Sequence, residues 1–212
     1  MHFTLYTADC RENARNIRYP NPAAITTAAD LKKATAYDHV CAQYADGIRK
    51  EANFQFSDVL PMDCDNDHSD NPSDWLTPER LAQQLPDVAF AATYSRHHMQ
   101  AKGKYSARPR FHVFFPTAAC TNAATHKAMK LRIQKALPFF DGNALDAARF
   151  LFGASGEVFW QEGSLHIENW LLLQTARRNI PQGQRNSTMS RLAGKLVKRY
   201  GVTEEAHTKF LE

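Results

Sequence analysis

Two aspartates separated by a single residue end a hydrophobic segment of this 212-residue chain. Val59-Leu60-Pro61-Met62 is followed by Asp63-Cys64-Asp65, and alternate residues of a strand point to the same side. We therefore expect the two carboxylates to lie close together, where a cation between them keeps both ionised. Hard divalent cations take oxygen ligands, often one or two carboxylates together with substrate phosphates. A surface turn without function is the alternative, and a calcium loop fits poorly because His68 stands where that loop needs glycine.

A histidine interrupts a second hydrophobic segment, residues 111–115, directly after two arginines. In a strand, His112 would face opposite to its apolar neighbours Phe111 and Val113. An imidazole can donate a hydrogen bond to a triphosphate oxygen, and Arg108 and Arg110 would supply positive charge beside it. The alternative is a hydrogen-bonded core histidine, which is the commoner outcome for a lone histidine. Three further basic residues of the same region could also bind phosphate, namely Lys104, Lys102 and Arg96.

A third segment places an acid one helical turn before an arginine. Leu145-Asp146 precedes Arg149 by three residues, and Asp141 lies close enough in sequence to compete for any role given to Asp146. An aspartate that starts a helix, followed by a surface arginine, explains the same residues without a function.

These three segments lie in a pattern of mixed strands and helices. Hydrophobic periodicity predicts strands at residues 2–7, 54–62, 88–94 and 111–115, a hairpin from 158–160 and 165–167, and helices at 27–44, from Thr77, and at 121–137. Residues 10–26 are predicted to form a loop. Strands and helices without regular βαβ alternation indicate an α+β fold.

The end of the chain differs in character from residue 168 onward. Helices are predicted there at 169–177 and 187–200, and a last short helix is predicted from Thr203. One side of the second helix is basic, and the residues that we expect to contact nucleic acid are Arg185, Arg191, Lys195, Lys198 and Arg199. A solvated helix face is an equal alternative. We therefore predict two domains, residues 1–167 and a small helical module at 168–212.

Charge is separated by region although the formal net charge is only +4. Six aspartates and no Lys or Arg occupy residues 58–74, whereas nine Lys or Arg and no Asp or Glu occupy residues 88–140. This separation indicates a carboxylate cluster for cations beside a basic wall for phosphates, or simply two solvated faces of opposite sign. No apolar run approaches a membrane span of about 20 residues, and the four scattered cysteines favour a reducing cytoplasm.

The ordered set of motifs resembles the archaeo-eukaryotic primase (AEP) superfamily, in particular the primase–polymerases of phages, plasmids and integrative elements. Asp63-Cys64-Asp65 resembles the family's Asp-x-Asp, His112 its strand histidine, and Leu145-Asp146 its hydrophobic-Asp step. Arg110 departs from the family pattern, which often has serine at that position. The likeness extends from about residue 25 to residue 201, where residues 183–194 resemble the helical module that follows such catalytic domains.

The resemblance implies an RNA-recognition-motif-like catalytic core that performs templated nucleotidyl transfer. Asp63, Asp65 and Asp146 would hold two Mg²⁺ or Mn²⁺ ions. His112 would contact the triphosphate of the incoming nucleotide, together with Arg108, Arg110, Lys104 and Arg149. The implied partners are a single-stranded DNA template, ribo- or deoxynucleoside triphosphates and a replicative helicase, with no membrane.

Two other functions stay open at this point. A replication-initiator nuclease usually needs two histidines flanking one hydrophobic residue, and His112-Val113-Phe114 lacks the second. A non-catalytic single-strand binder of the same fold would bind DNA regardless of chelator and would not bind nucleotides.

Overall fold

The computed structural model describes residues 1–179 and residue 191. The chain divides into two compact units, Met1–Ile167 and Glu168–Glu212. The strands are β1 (Phe3–Thr7), β2 (Asn21–Ile25), β3 (His39–Val40), β4 (Gln43–Tyr44), β5 (Phe54–Cys64), β6 (Phe90–Tyr94), β7 (Gln100–Lys102), β8 (Tyr105–Arg108), β9 (Phe111–Cys120), β10 (Phe150–Leu151) and β11 (Val158–Gln161). The helices are α1 (Ala28–Ala34), α2 (Pro78–Gln84), α3 (Ala123–Ala136) and, in the second unit, α4 (Ile167–Asn179).

A five-stranded antiparallel sheet forms the centre of the first unit. Its strand order is β11-β6-β9-β5-β4, so the two long strands β5 and β9 lie beside each other. The second half of β5 is almost entirely buried, because α3 packs against this strand. A strand covered in this way is hydrophobic in continuous runs, as Val59 to Met62 are.

A second antiparallel sheet has the order β10-β3-β1-β2, and β7 and β8 form a separate hairpin. One hydrophobic core joins the two larger sheets and α1, since Phe3 and Leu5 of β1 pack with Leu31, Val59 and Phe114. The predicted α+β class with antiparallel sheets is confirmed.

Helix starts follow the local sequence closely. The Thr27 hydroxyl accepts the N–H of Asp30, whose carboxylate accepts the N–H of Thr27, which forms a capping box for α1. The Thr77 hydroxyl accepts the N–H of Arg80 at the start of α2, where Pro78 takes the first position, and Asn122 caps α3. Among the described residues, no helix is both long and apolar enough to cross a membrane.

Three predictions of secondary structure were wrong. The helix from residue 27 ends at Ala34 rather than near residue 44, because the chain turns there to place Asp38 in the interior and to form β3 and β4. The predicted loop at 10–26 contains β2. The predicted hairpin is absent within the described residues, since β11 pairs with β6 and Leu165 forms only an isolated parallel bridge to Val88.

Candidate active site

Strand register brings an acid and an imidazole to opposed positions. Asp63 on β5 lies opposite His112 on β9, and Thr93 on β6 lies opposite the same histidine on its other side. Directly opposed residues of antiparallel strands share one face of the sheet. The Asp-x-Asp motif and the strand histidine, far apart in sequence, therefore lie on one face at the same end of the sheet.

The Asp63 carboxylate is nearly buried and is held between two basic side chains. Its Oδ2 accepts a hydrogen bond from Arg149 Nη2 at 2.7 Å, and its Oδ1 lies 3.9 Å from His112 Nε2. Burial alone would raise its pKa, but His112 and Arg149 outweigh this effect and hold the pKa of Asp63 below its usual value. Burial lowers the pKa of His112 despite the neighbouring Asp63. At pH 7 the aspartate is therefore ionised and the histidine neutral.

Asp65 reaches the same region from the end of β5 and is also paired with a base. Lys102 Nζ, at the tip of the β7–β8 hairpin, donates to Asp65 Oδ2 at 2.7 Å, and Arg110 Nε lies 3.7 Å from Asp65 Oδ1. Each carboxylate of the motif thus carries its own positive counter-ion.

These groups line one cavity of about 280 Å³. Its wall contains the acids Asp63 and Asp65, the basic residues Arg96, Lys102 and Arg149 with His97 and His112, and the apolar residues Phe150, Leu151 and Phe152. Two buried donors here, Arg96 Nε and Arg149 Nε, have no hydrogen-bond partner among the described residues. Buried donors without partners favour an acceptor ligand, because leaving them unpaired costs free energy.

Arg108 and Arg110 lie elsewhere than the sequence suggested. Both side chains are fully buried, and neither lines the cavity. Arg108 donates to the carbonyls of Asn66 and Ser69 and to the Asp70 carboxylate, at 2.9 to 3.2 Å. Arg110 donates to the Gln100 carbonyl and lies 3.4 Å from an Asp67 oxygen. In this arrangement the two arginines hold the aspartate-rich loop and the hairpin in place.

Lys104 is also outside the cavity wall. It lies in the turn of the β7–β8 hairpin, with its ammonium group 5.2 Å from the centre of the Tyr105 ring. Its hairpin neighbour Lys102 is the residue that lines the cavity.

Asp146 is held near this region but does not line the cavity. Its Oδ1 accepts the N–H of Ala148 at 3.0 Å, and the buried Lys130 ammonium donates to the carbonyls of Ala144 and Asp146 at 2.6 and 3.2 Å. Burial lowers the pKa of Lys130 to about 8. The N–H of Asp141 donates to the Asp63 carbonyl, so this segment is fastened to the end of β5. Among the described residues no group of three or more metal-ligating side chains is preformed.

The expected nucleic-acid contacts at the end of the chain fall almost wholly beyond the described residues. Arg185, Lys195, Lys198 and Arg199 lie outside them, and Arg191 is described only as an exposed helical residue.

Several cavity residues carried little signal in the sequence. Phe150 and Phe152 resemble ordinary core residues, and His97 stands in a pair with His98 that has no metal-ligand spacing. The useful signal was the absence of acids between residues 88 and 140, a region that includes Arg96 and Lys102. This signal does not show which of the nine basic residues of that region reach the cavity.

Comparison with known proteins gives a similar solved structure. No model of a protein family matches the chain, and no curated protein sequence matches it. Among solved structures it is similar to the AEP domain of the primase–polymerase (PrimPol) of cyanophage S-2L, with 15% identity and a TM-score of 0.44. The match covers 81% of this chain and 87% of that domain.

Proposed function

We propose that this chain is a primase–polymerase that catalyses DNA-templated nucleotidyl transfer at the cavity between Asp63, Asp65 and Arg149. The observation that carries the proposal is the composition of the cavity wall. Two carboxylates share it with the donors Arg96, Lys102, Arg149 and neutral His112. Such a wall suits a triphosphate that arrives together with cations.

The carboxylates fit divalent cations in their chemistry. Both are oxygen donors at the cavity wall, and each already attracts a positive group to within 2.7 Å. Asp63 and Asp65 would hold Mg²⁺ or Mn²⁺, and Asp146 is the third ligand that the resemblance implies. Bound cations would activate the attacking 3′-hydroxyl and neutralise charge on the leaving pyrophosphate.

The basic side chains would bind and orient the triphosphate. His112 is neutral at pH 7 and can donate one hydrogen bond to a phosphate oxygen without adding a second positive charge beside Arg149. Arg149 and Lys102 would turn from the carboxylates to phosphate oxygens when cations replace them, and Arg96 offers an unpaired Nε–H. The aromatic walls at Phe150 and Phe152 exclude water from one side of the cavity.

The remaining parts of the proposal rest on the resemblance. They are a single-stranded DNA template, ribo- or deoxynucleoside triphosphates as substrates, template contacts at the basic end of the chain, and a replicative helicase of a mobile element as partner.

A nucleotide-incorporation assay on single-stranded DNA tests the proposal. The wild type should extend or initiate short strands with Mg²⁺ or Mn²⁺, and the Asp63→Ala/Asp65→Ala double variant should not. Asp9→Asn, an exposed acid outside the cavity, is the matched control and should retain activity. Synthesis by the double variant would refute the assignment, and chelator-resistant DNA binding without any nucleotide binding would instead identify a non-catalytic binder.

A further inference from the structure

A second cavity adjoins the first and has a different wall. Its volume is about 480 Å³, and it shares Ser95 and Arg96, which follow β6, with the first cavity. The rest of its wall comes from two loops, at residues 11–12 and 153–156, with Ala36 between them.

Both loops are fastened to a single buried carboxylate. Asp38 is fully buried, and its side chain accepts the N–H groups of Glu12, Asn13 and Gly153 at 2.8 to 3.0 Å. At Gly153 a Cβ atom would lie 2.6 Å from the Ala36 carbonyl oxygen, so only glycine allows the second loop to approach this closely. The two walls of the cavity are therefore fixed relative to each other before any ligand binds.

Two guanidinium groups of this cavity are positioned but unpaired. The exposed Arg11 lies over the Tyr37 ring at 4.7 Å, and the half-buried Arg96 lies over the Phe152 ring at 3.6 Å, so cation–π contacts orient both side chains. Among the described residues neither guanidinium has a hydrogen-bond acceptor or an acidic partner, and Arg96 Nε and Ser95 Oγ are buried without partners. This differs from Arg149 and Lys102, each of which holds an aspartate.

The wall also indicates which part of a nucleotide would fit. Its lining has arginines, serines and small residues but no aromatic ring on which a base could stack. Stacking on aromatic side chains is the usual way in which proteins hold single-stranded bases, whereas guanidinium groups and hydroxyls contact phosphates. The one acid in the wall, Glu12, is exposed and can turn into solvent.

We propose that this second cavity binds a backbone phosphate of the single-stranded nucleic acid, beside the nucleotide whose triphosphate occupies the first cavity. Arg11 contacts the strand only, whereas Arg96 faces both the strand and the nucleotide. The inference rests on the proposed function, because it takes the first cavity as the nucleotide site.

The variant Arg11→Gln tests the second cavity alone, since Arg11 does not line the first cavity. In fluorescence anisotropy with a labelled oligo-dT, this variant should bind the strand about 3- to 10-fold more weakly, and the slope of log affinity against log salt should fall by about 0.7, the value for one lost phosphate contact on a single strand. Binding of dATP, measured by calorimetry with Mn²⁺, should stay unchanged. Arg15→Gln removes an exposed arginine of the same loop and should bind both ligands as the wild type does. Arg96→Gln should weaken both.

Two results would overturn the inference: strand binding by Arg11→Gln equal to that of Arg15→Gln, or an equal loss of dATP affinity, which would make the second cavity part of the nucleotide site. Failure of the proposed function gives a different result. A wild type that incorporates no nucleotide but still binds the strand through Arg11 refutes catalysis and keeps the phosphate site.

Discussion

Two clusters of paired acidic and basic side chains arise from one aspartate-rich stretch of sequence. They differ in how far their basic side chains are exposed to solvent. In the first, Asp63 and Asp65 pair with Arg149 and Lys102, whose side chains are 36% and 49% exposed. In the second, Asp67 and Asp70 pair with Arg110 and Arg108, whose side chains are 0% exposed.

Burial falls on opposite partners: the carboxylates are the less exposed partners in the first cluster, whereas the arginines are buried in the second. Arg108 donates to two loop carbonyls in addition to its aspartate, so its removal would leave several acceptors unsatisfied in the interior. Lys102 has only Asp65 as a hydrogen-bond acceptor among the described residues. Its ammonium group can therefore move away from Asp65 with little loss of free energy. A buried basic side chain with several backbone partners maintains structure, whereas an exposed basic side chain with one carboxylate partner is available for a ligand.

Replacing Asp63 should give the largest effect and act on activity alone. We expect Asp63→Asn to lower nucleotide incorporation by about 10³-fold or more, because under the proposed function charge develops in the cavity that this carboxylate lines. Its urea midpoint should stay close to that of the wild type, since the partner Arg149 can reach solvent. An incorporation assay beside urea denaturation checks both statements, and an active Asp63→Asn would remove the first cluster from the active site.

Replacing Arg108 should show the opposite pattern. Arg108→Ala should lower the free energy of unfolding by about 3–5 kcal/mol, the usual cost of breaking a buried charged network. Arg80→Ala is the matched control, because Arg80 also donates to two backbone carbonyls but is exposed; it should cost under about 1 kcal/mol. Equal losses in the two variants, measured by urea denaturation, would contradict the distinction by burial.

Acid should weaken the fold through groups that belong to neither cluster. Burial lowers the pKa of His39 and of His126 to about 4. Between pH 6.5 and pH 4 the unfolded chain binds protons at these positions while the folded chain does not, so stability is full above pH 6.5 and falls as the pH drops, by up to about 3 kcal/mol for each histidine.

Urea midpoints measured from pH 7.5 to pH 4.5 check this dependence. His126→Gln keeps a donor for the Val59 carbonyl without titrating, and should flatten the curve over that window. An unchanged pH profile in this variant would show that the pKa of His126 is the same in the folded and the unfolded chain.

Replacing Lys102 should give the smallest effect, a gain in cation affinity. Lys102→Met removes the hydrogen-bonded counter-ion of Asp65 and leaves only the more distant Arg110. Mn²⁺ binding without nucleotide, followed by electron paramagnetic resonance, should therefore tighten about 2- to 5-fold, in line with the small strength of exposed ion pairs. Lys104→Met, from the turn of the same hairpin, should leave it unchanged. Weaker Mn²⁺ binding by Lys102→Met would show that the lysine supports the carboxylates rather than competing for them.

Much of the central sheet could be predicted from local sequence. The hydrophobic runs of β5, β6 and β9 and the helix-starting residues Thr27 and Thr77 were informative, since each signal acts within a few residues. The end of α1 was not predictable in this way, because it depends on where the Asp38 carboxylate finds the N–H groups of two distant loops.

The sequence predicted two acids, the histidine and Arg149 of the cavity wall, but the predicted Asp146, Arg108, Arg110 and Lys104 do not line it. Asp63, Asp65 and His112 lie within or directly after strands whose alternation fixes their faces. Arg108 and Arg110 precede β9 in the chain, so proximity to His112 suggested a shared role, whereas burial against the aspartate-rich loop decided their positions. Which lysine of the hairpin reaches the cavity depends on the turn geometry, which composition does not reveal.

Arg96, which lies in the wall of both cavities, has a consequence for repeated synthesis. Under the proposed function, each cycle converts the innermost phosphate of a nucleotide into the newest link of the growing strand, and that phosphate then has to move one step away from the reacting hydroxyl. A guanidinium group that lines both cavities can stay hydrogen-bonded to this phosphate during the translocation. Loss of Arg96 would then shorten the products, because the strand would dissociate more often between successive additions.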